Sequence, residues 1–64
     1  MAKIICVTIY PFINGITVDI MYESGRLYTK TLAEVPKTVR AWIVDKNATE
    51  HFDKNHNRWV TQYK

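Results

Sequence analysis

The sequence is poor in the residues that supply covalent chemistry or phosphate binding. Its 64 residues include one cysteine, two glycines and two prolines. A lone cysteine cannot form an intramolecular disulfide, so we expect a cytoplasmic protein whose fold is held by packing alone. Two glycines are too few for a glycine-rich phosphate loop, and both are needed for turns.

Long apolar runs are also missing. No stretch approaches the ~20 residues that cross a bilayer, and the short apolar run after Lys3 does not predict a secretory signal. The hydrophobic residues make up 47% of the chain and are spread along it, which favours a globular fold over disorder. We therefore expect one domain, residues 1–64, with no membrane partner.

Clusters of one charge sign are absent too. Nine basic and six acidic residues give a formal net charge of +3, and acids lie between the bases from Lys3 to Lys64. A dispersed excess of this size is more typical of a solvated surface than of a nucleic-acid site, although it is compatible with one.

Candidate catalytic and metal-binding residues are few. Cys6 is predicted to lie mid-strand opposite Glu23, and an acidic neighbour is the wrong environment for a thiolate nucleophile. His51, Asp53 and His56 are metal-ligand types, but they flank a polar turn that is more typical of a solvated loop than of a zinc site. We expect neither catalysis nor a bound metal or cofactor.

What the sequence does contain is a strong β-hairpin signal. Asn14-Gly15 and Ser24-Gly25 separate runs rich in β-branched and aromatic residues, which is typical of two-residue hairpin turns. Two such turns predict a three-stranded antiparallel meander over residues 3–13, 16–23 and 26–32.

Two-residue turns also predict a pairing register. Ile9 is then opposite Ile20 on an apolar face, while Asp19 is opposite Lys30 on a charged face. Glu23 opposite Arg26 adds a second charge pair to that face.

A helix is expected after the meander. Pro36 suits a first helical turn, and Val39, Trp42 and Ile43 recur at helical spacing. This predicts a helix over residues 36–46, packed on the sheet face that carries the apolar residues. The members of that face are Ile5, Val7, Ile9, Val18 and Ile20.

The C-terminal segment is predicted to form a last hairpin, residues 48–53 and 58–63. A four-residue loop places Phe52 opposite Trp59 and Asp53 opposite Arg58, an aromatic pair and a charge pair in one register. The order of elements is β-β-β-α-β-β, an α+β fold.

The outward face of the meander is the predicted binding surface. Aromatic residues and methionine are enriched at the centres of protein interfaces. The predicted partner-binding residues are Tyr10, Phe12, Met21, Tyr28, Arg26 and Lys30. The sequence leaves open whether the C-terminal hairpin covers this face instead.

An alternative is nucleic-acid binding, because aromatic side chains stack on bases and cations contact phosphates. The outward face of the meander is one candidate site for nucleic acid, although the carboxylates of Asp19 and Glu23 oppose phosphate binding. The most basic and aromatic stretch lies in the C-terminal hairpin. Its candidate residues are Lys54, His56, Arg58, Trp59, Tyr63 and Lys64.

The resulting hypothesis is a small, non-enzymatic protein that docks on a larger macromolecule, with a protein partner ahead of nucleic acid. Such a protein would inhibit or modulate its partner by occlusion, as accessory proteins of phages and mobile elements do. We expect a monomer, with homodimerisation through an edge strand as the alternative.

Overall fold

A computed structural model describes residues 3–13 and 15–64 of the chain. Five strands, one α-helix and a short 3-10 turn follow one another along it. Their bounds are β1 Ile4–Phe12, β2 Gly15–Tyr22, β3 Leu27–Thr31, the 3-10 turn Leu32–Glu34, α1 Lys37–Val44, β4 Ala48–Asp53 and β5 Arg58–Tyr63.

All five strands form one antiparallel sheet in the order β3-β2-β1-β5-β4. The prediction of an α+β fold is confirmed. The three predicted meander strands are part of a larger sheet, because the C-terminal hairpin pairs with β1 through β5, with Val7 opposite Tyr63. The hairpin therefore widens the sheet and does not fold over the outward face of the meander.

The predicted register of the first hairpin is wrong by two residues. Ile9 lies opposite Val18, and Val7 lies opposite Ile20. The last pair is Phe12 with Gly15, so Gly15 is the first residue of β2. The predicted Asn14-Gly15 turn includes Asn14, which lies outside the described residues. A shift of two positions exchanges partners but leaves each side chain on its face.

The predicted register of the second hairpin is wrong by one residue, and this has larger consequences. Asp19 lies opposite Thr29, and Lys30 lies opposite Val18. The corner is a three-residue loop, Glu23 to Gly25, in which Gly25 has a φ of 94°. A turn followed by a glycine in the left-handed conformation adds one residue to the expected two-residue corner. Both predicted charge pairs, Asp19–Lys30 and Glu23–Arg26, are therefore lost.

A β-bulge near the start of β1 corrects one further prediction. The register shifts between Ile4, opposite Tyr22, and Cys6, opposite Met21. The extra residue is Ile5, which is exposed. Ile4 takes the place expected for Ile5 on the apolar face and packs against the core. Cys6 consequently faces a methionine and not Glu23.

The core lies between the sheet and α1. Its buried members are Val7, Val18, Ile20, Val35 and Val39, with Trp42 and Ile43 packed against them. The predicted docking of the helix through Val39, Trp42 and Ile43 is therefore confirmed. The helix is shorter than predicted, because Pro36 is its N-terminal cap and Asp45 its C-terminal cap. Among the described residues, no helix is long and apolar enough to cross a membrane.

The C-terminal hairpin has the predicted register. Phe52 lies opposite Trp59, and Asp53 lies opposite Arg58. Residues 54–57 form the loop, and Asn57 adopts a φ of 52°, a conformation that asparagine tolerates better than most residues. The two aromatic rings meet edge to face with centroids 5.6 Å apart.

Candidate docking surface

The six predicted partner-binding residues do not form one surface. We call the side of the sheet that α1 covers the helix face, and the opposite side the outer face. The register places Tyr10, Phe12 and Met21 on the outer face. Tyr28 lies opposite Ile20 and Lys30 opposite Val18, both on the helix face.

The one-residue shift at the Gly25 corner is the reason for this division. Side chains alternate between faces along a strand, so a shift by one moves every residue of β3 to the other side. Tyr28 packs edge to face against Tyr22, with ring centroids 5.5 Å apart. Arg26 precedes β3 and donates a long hydrogen bond of 3.4 Å to the Tyr28 hydroxyl.

The outer face carries a polar network centred on Asp19. The hydroxyls of Tyr10 and Thr29 both donate to Oδ1 of Asp19, at 3.0 and 2.9 Å. Partial burial raises the pKa of Tyr10, and the hydrogen bond to Asp19 raises it further. The Arg58 guanidinium lies 4.0 Å from the centroid of the Tyr10 ring. These polar groups bind one another, so this face offers few unsatisfied groups to a partner.

The predicted nucleic-acid residues are also divided. Arg58 lies on the outer face, while Trp59 and Tyr63 lie on the helix face, because the sheet register alternates along β5. Lys54 and His56 belong to the β4–β5 loop, and Lys64 follows β5.

Two of the predicted nucleic-acid residues, Arg58 and His56, contact other side chains of the protein. His56 Nδ1 lies 2.8 Å from Oδ2 of Asp53, and this hydrogen bond lowers the pKa of Asp53. Arg58 packs over Tyr10 and donates to the Pro11 carbonyl at 3.5 Å. Within residues 3–13 and 15–64, no group of three or more His, Cys, Asp or Glu side chains is arranged to hold a metal ion.

A different surface emerges at the end of the sheet where β1 meets β2. Four large apolar side chains are exposed there and do not contribute to the small core. The members of this open-end patch, with their exposed fractions, are Phe12 (55%), Ile13 (85%), Ile16 (45%) and Leu32 (40%).

The open-end patch surrounds a groove of about 540 Å³. Gly15, Thr17, Thr31 and Ala33 complete its lining, and none of the described residues that line it is charged. Depletion of charge and enrichment of large apolar groups distinguish the centre of a protein interface from ordinary surface. The groove is large enough to accept one or two apolar side chains of a partner.

The 3-10 turn that carries Leu32 is held in place by polar contacts. Arg40 donates from Nη2 to the Leu32 carbonyl at 2.7 Å and from Nε to the Val35 carbonyl at 3.3 Å. Thr31 donates to Glu34 at 2.6 Å, which lowers the pKa of Glu34. The backbone on the Leu32 side of the groove is therefore tied to α1 through Arg40.

Ile13, Ile16 and Leu32 were not among the predicted binding residues. A length argument could have found two of them. An eight-residue helix is about 12 Å long, whereas the nine-residue strand β1 extends about 30 Å. A helix as short as α1 cannot cover the whole apolar face of the first hairpin, so apolar residues near its turn must remain exposed.

Comparisons with known proteins give no guide to function, because no family model, curated protein or solved structure matches the chain.

Proposed function

We propose that the chain is a small, non-enzymatic binding protein that docks on a larger protein through the open-end patch. The observation that supports this most strongly is the exposure of four large apolar side chains around one uncharged groove. Contiguous exposed apolar surface of this kind marks interaction sites in soluble proteins.

The mode of action follows from the shape of the surface. The open-end patch surrounds an uncharged groove at the end of the sheet where β1 meets β2. Such a groove is suited to accept one or two apolar side chains of the partner between Phe12, Ile16 and Leu32. Docking of the patch on the partner would inhibit or modulate it by occlusion.

A protein partner is favoured over nucleic acid by the distribution of charge. The open-end patch lacks charged side chains, whereas affinity for nucleic acid depends mainly on contacts with phosphates. Arg58 packs over the Tyr10 ring, and His56 is hydrogen-bonded to Asp53. Binding through the patch should therefore depend little on salt concentration.

The test is capture of the partner from a lysate of the source cells. The patch variant combines Ile16→Thr with Leu32→Gln, which replaces apolar surface by polar groups without introducing a charge. Val44→Thr is the matched control, because Val44 is an exposed apolar residue on α1, outside the patch. We expect the wild type and the control to capture the same protein at low and high salt, and the patch variant to lose it.

Electrophoretic mobility shift with mixed oligonucleotides tests the alternative. Complexes that form at low salt and disappear at moderate salt would indicate phosphate contacts. Such complexes, together with undiminished binding by the patch variant, would favour a nucleic-acid partner and contradict the proposal.

A further inference from the structure

The two edges of the sheet differ in how well they are protected from pairing. β3 is the shorter edge strand, and it carries Lys30 and runs directly into the 3-10 turn. β4 has six residues without proline or a bulge, and its one neighbour is β5. Outside the strand ladders, no described backbone hydrogen bond involves β4. Half of its backbone donors and acceptors therefore point away from the sheet without a protein partner.

A second copy of the chain could satisfy these groups in a limited number of registers. Two identical edge strands in one continuous sheet pair antiparallel around a two-fold axis normal to the sheet. Residues directly opposite one another share a face, so the axis must pass between two copies of one residue. The register is then defined by naming that residue.

Most registers of β4 with itself are unfavourable. An axis at Glu50 or at Asp53 sets like charges directly opposite each other, which destabilises a sheet. An axis at His51 sets Glu50 against Phe52, a charged group against an aromatic ring. An axis at Ala48 or Thr49 leaves Phe52 without an aromatic residue opposite it.

The register with the axis at Phe52 pairs residues 51–53 of the two strands and sets no like charges opposite each other across residues 50–54. The two Phe52 rings lie opposite each other on the helix face. His51 lies opposite Asp53 of the second copy on the outer face. Glu50 lies opposite Lys54 of the second copy, the residue that follows β4. Each pair of unlike groups occurs twice because of the symmetry, so one aromatic pair is flanked by four complementary polar pairs.

The same register explains an exposed aromatic pair. Trp59 and Phe52 are 62% and 41% exposed, and their rings touch edge to face. In the dimer, Trp59 and Phe52 of one copy continue into Phe52 and Trp59 of the other. Four aromatic rings then form one row across the two-fold axis, where aromatic cross-strand pairs stabilise a sheet.

We propose that two copies of the chain pair through β4, with Phe52 on the two-fold axis, to form one continuous sheet. This inference is independent of the proposed function, because the open-end patch adjoins β2 and β3, on the other side of β1 from β4.

A charge-exchange experiment tests both the dimer and its register. The dissociation constant is measured by sedimentation over a wide range of protein concentration. Glu50→Lys and Lys54→Glu each replace two pairs of unlike charge by two pairs of like charge, so each should weaken dimerisation about tenfold or more. The double variant restores unlike pairs and should regain most of the wild-type affinity. Lys37→Glu, a charge reversal on α1, is the control and should leave the dissociation constant unchanged.

Amide hydrogen exchange provides a second readout. Protection of the β4 amides should rise with protein concentration in the wild type, while β3 amides should not respond. A chain that stays monomeric at every concentration would overturn the proposal. So would a dimer that is unaffected by the single reversals, or one that the double variant fails to restore.

Discussion

Ile16 and Ile20 lie on the same strand and point to the same face of the sheet, yet their surroundings differ completely. Ile20 is 1% exposed and belongs to the core, whereas Ile16 is 45% exposed. Val18, which lies between them on that face, is also buried. The boundary between the covered and the open part of the helix face therefore lies between Val18 and Ile16.

The difference teaches that residue type does not decide the role of an apolar side chain in a fold this small. The covered end of the helix face lies under α1 and supplies stability. The open end lies beyond the reach of the helix and leaves its apolar side chains available for binding. We expect substitutions at the two ends to separate these roles.

The largest effect is expected at the covered end. Ile20→Ala removes buried apolar volume and leaves a cavity under α1, which should lower the free energy of unfolding by about 2–5 kcal/mol. Urea denaturation followed by tryptophan fluorescence measures this loss. A decrease below about 1 kcal/mol would mean that the site collapses freely and is not a packed core.

The next largest loss of stability is expected at the Gly25 corner, whose length determines which face of the sheet each β3 side chain points to. Gly25→Ala forces a residue with a side chain into the left-handed conformation, at a cost of about 1–2 kcal/mol. Ser24→Ala, at the neighbouring position, should change the free energy of unfolding by less than about 0.5 kcal/mol. Equal effects of the two substitutions would argue against the three-residue corner that places Tyr28 on the covered face.

The outer face should respond less than the core. Tyr10→Phe removes the hydroxyl that donates to Asp19 and should lower the free energy of unfolding by about 1 kcal/mol. Urea denaturation measures the change, and the Thr29→Val variant provides a comparison, because it removes the other hydroxyl that donates to Asp19. If neither substitution changes stability, the polar network contributes nothing to holding β1, β2 and β3 together.

The open end should tolerate truncation. Ile16→Ala leaves the core under α1 intact and should lower the free energy of unfolding by less than about 1 kcal/mol. The difference between this loss and that of Ile20→Ala, measured in the same denaturation experiment, gives the stability that an isoleucine gains from being covered by α1. Equal decreases in the free energy of unfolding at the two positions would show that Ile16 belongs to the core.

The smallest effect is expected at the exposed β4–β5 corner. The hydrogen bond from His56 holds the pKa of Asp53 below its ordinary value, with the Asn55 backbone amide adding to it. A carboxyl whose pKa is lowered by folding stabilises the fold above its unfolded pKa, and this contribution is lost as the pH falls through the folded pKa.

Melting temperatures of dilute protein in the acid range measure this contribution. Asp53→Asn should flatten the pH dependence slightly relative to the wild type. Because the pKa of Glu34 is lowered as well, the difference between the two proteins, and not the wild-type curve alone, reports on Asp53. Identical curves would contradict a role for the His56 hydrogen bond.

Much of the fold could be predicted from local signals. The strands, the helix and the register of the C-terminal hairpin follow from periodicity and from matched cross-strand pairs such as Phe52 with Trp59. The length of the Gly25 corner does not follow from these signals, because Ser-Gly is compatible with both a two-residue turn and a three-residue loop with glycine at its end. One residue of difference in loop length reversed both faces of β3.

The predicted grouping of the partner-binding residues on one face is corrected for the same reason. A two-residue turn predicts Tyr28 and Lys30 on the outer face, and the structure has both on the helix face. The bulge at Ile5 is a second irregularity that pairing rules alone do not reveal. Two members of the open-end patch, Ile13 and Ile16, follow by contrast from comparing the lengths of the helix and the strands, a global property and not a local one.

The most direct test of the proposed function is partner capture by three proteins whose folding has been verified: the wild type, the Ile16→Thr/Leu32→Gln variant and the Val44→Thr control. We predict that the wild type and the control retain the same protein at low and high salt, and that the double variant retains none. Equal capture by all three proteins, or loss of capture by the wild type at high salt, would contradict docking through the open-end patch.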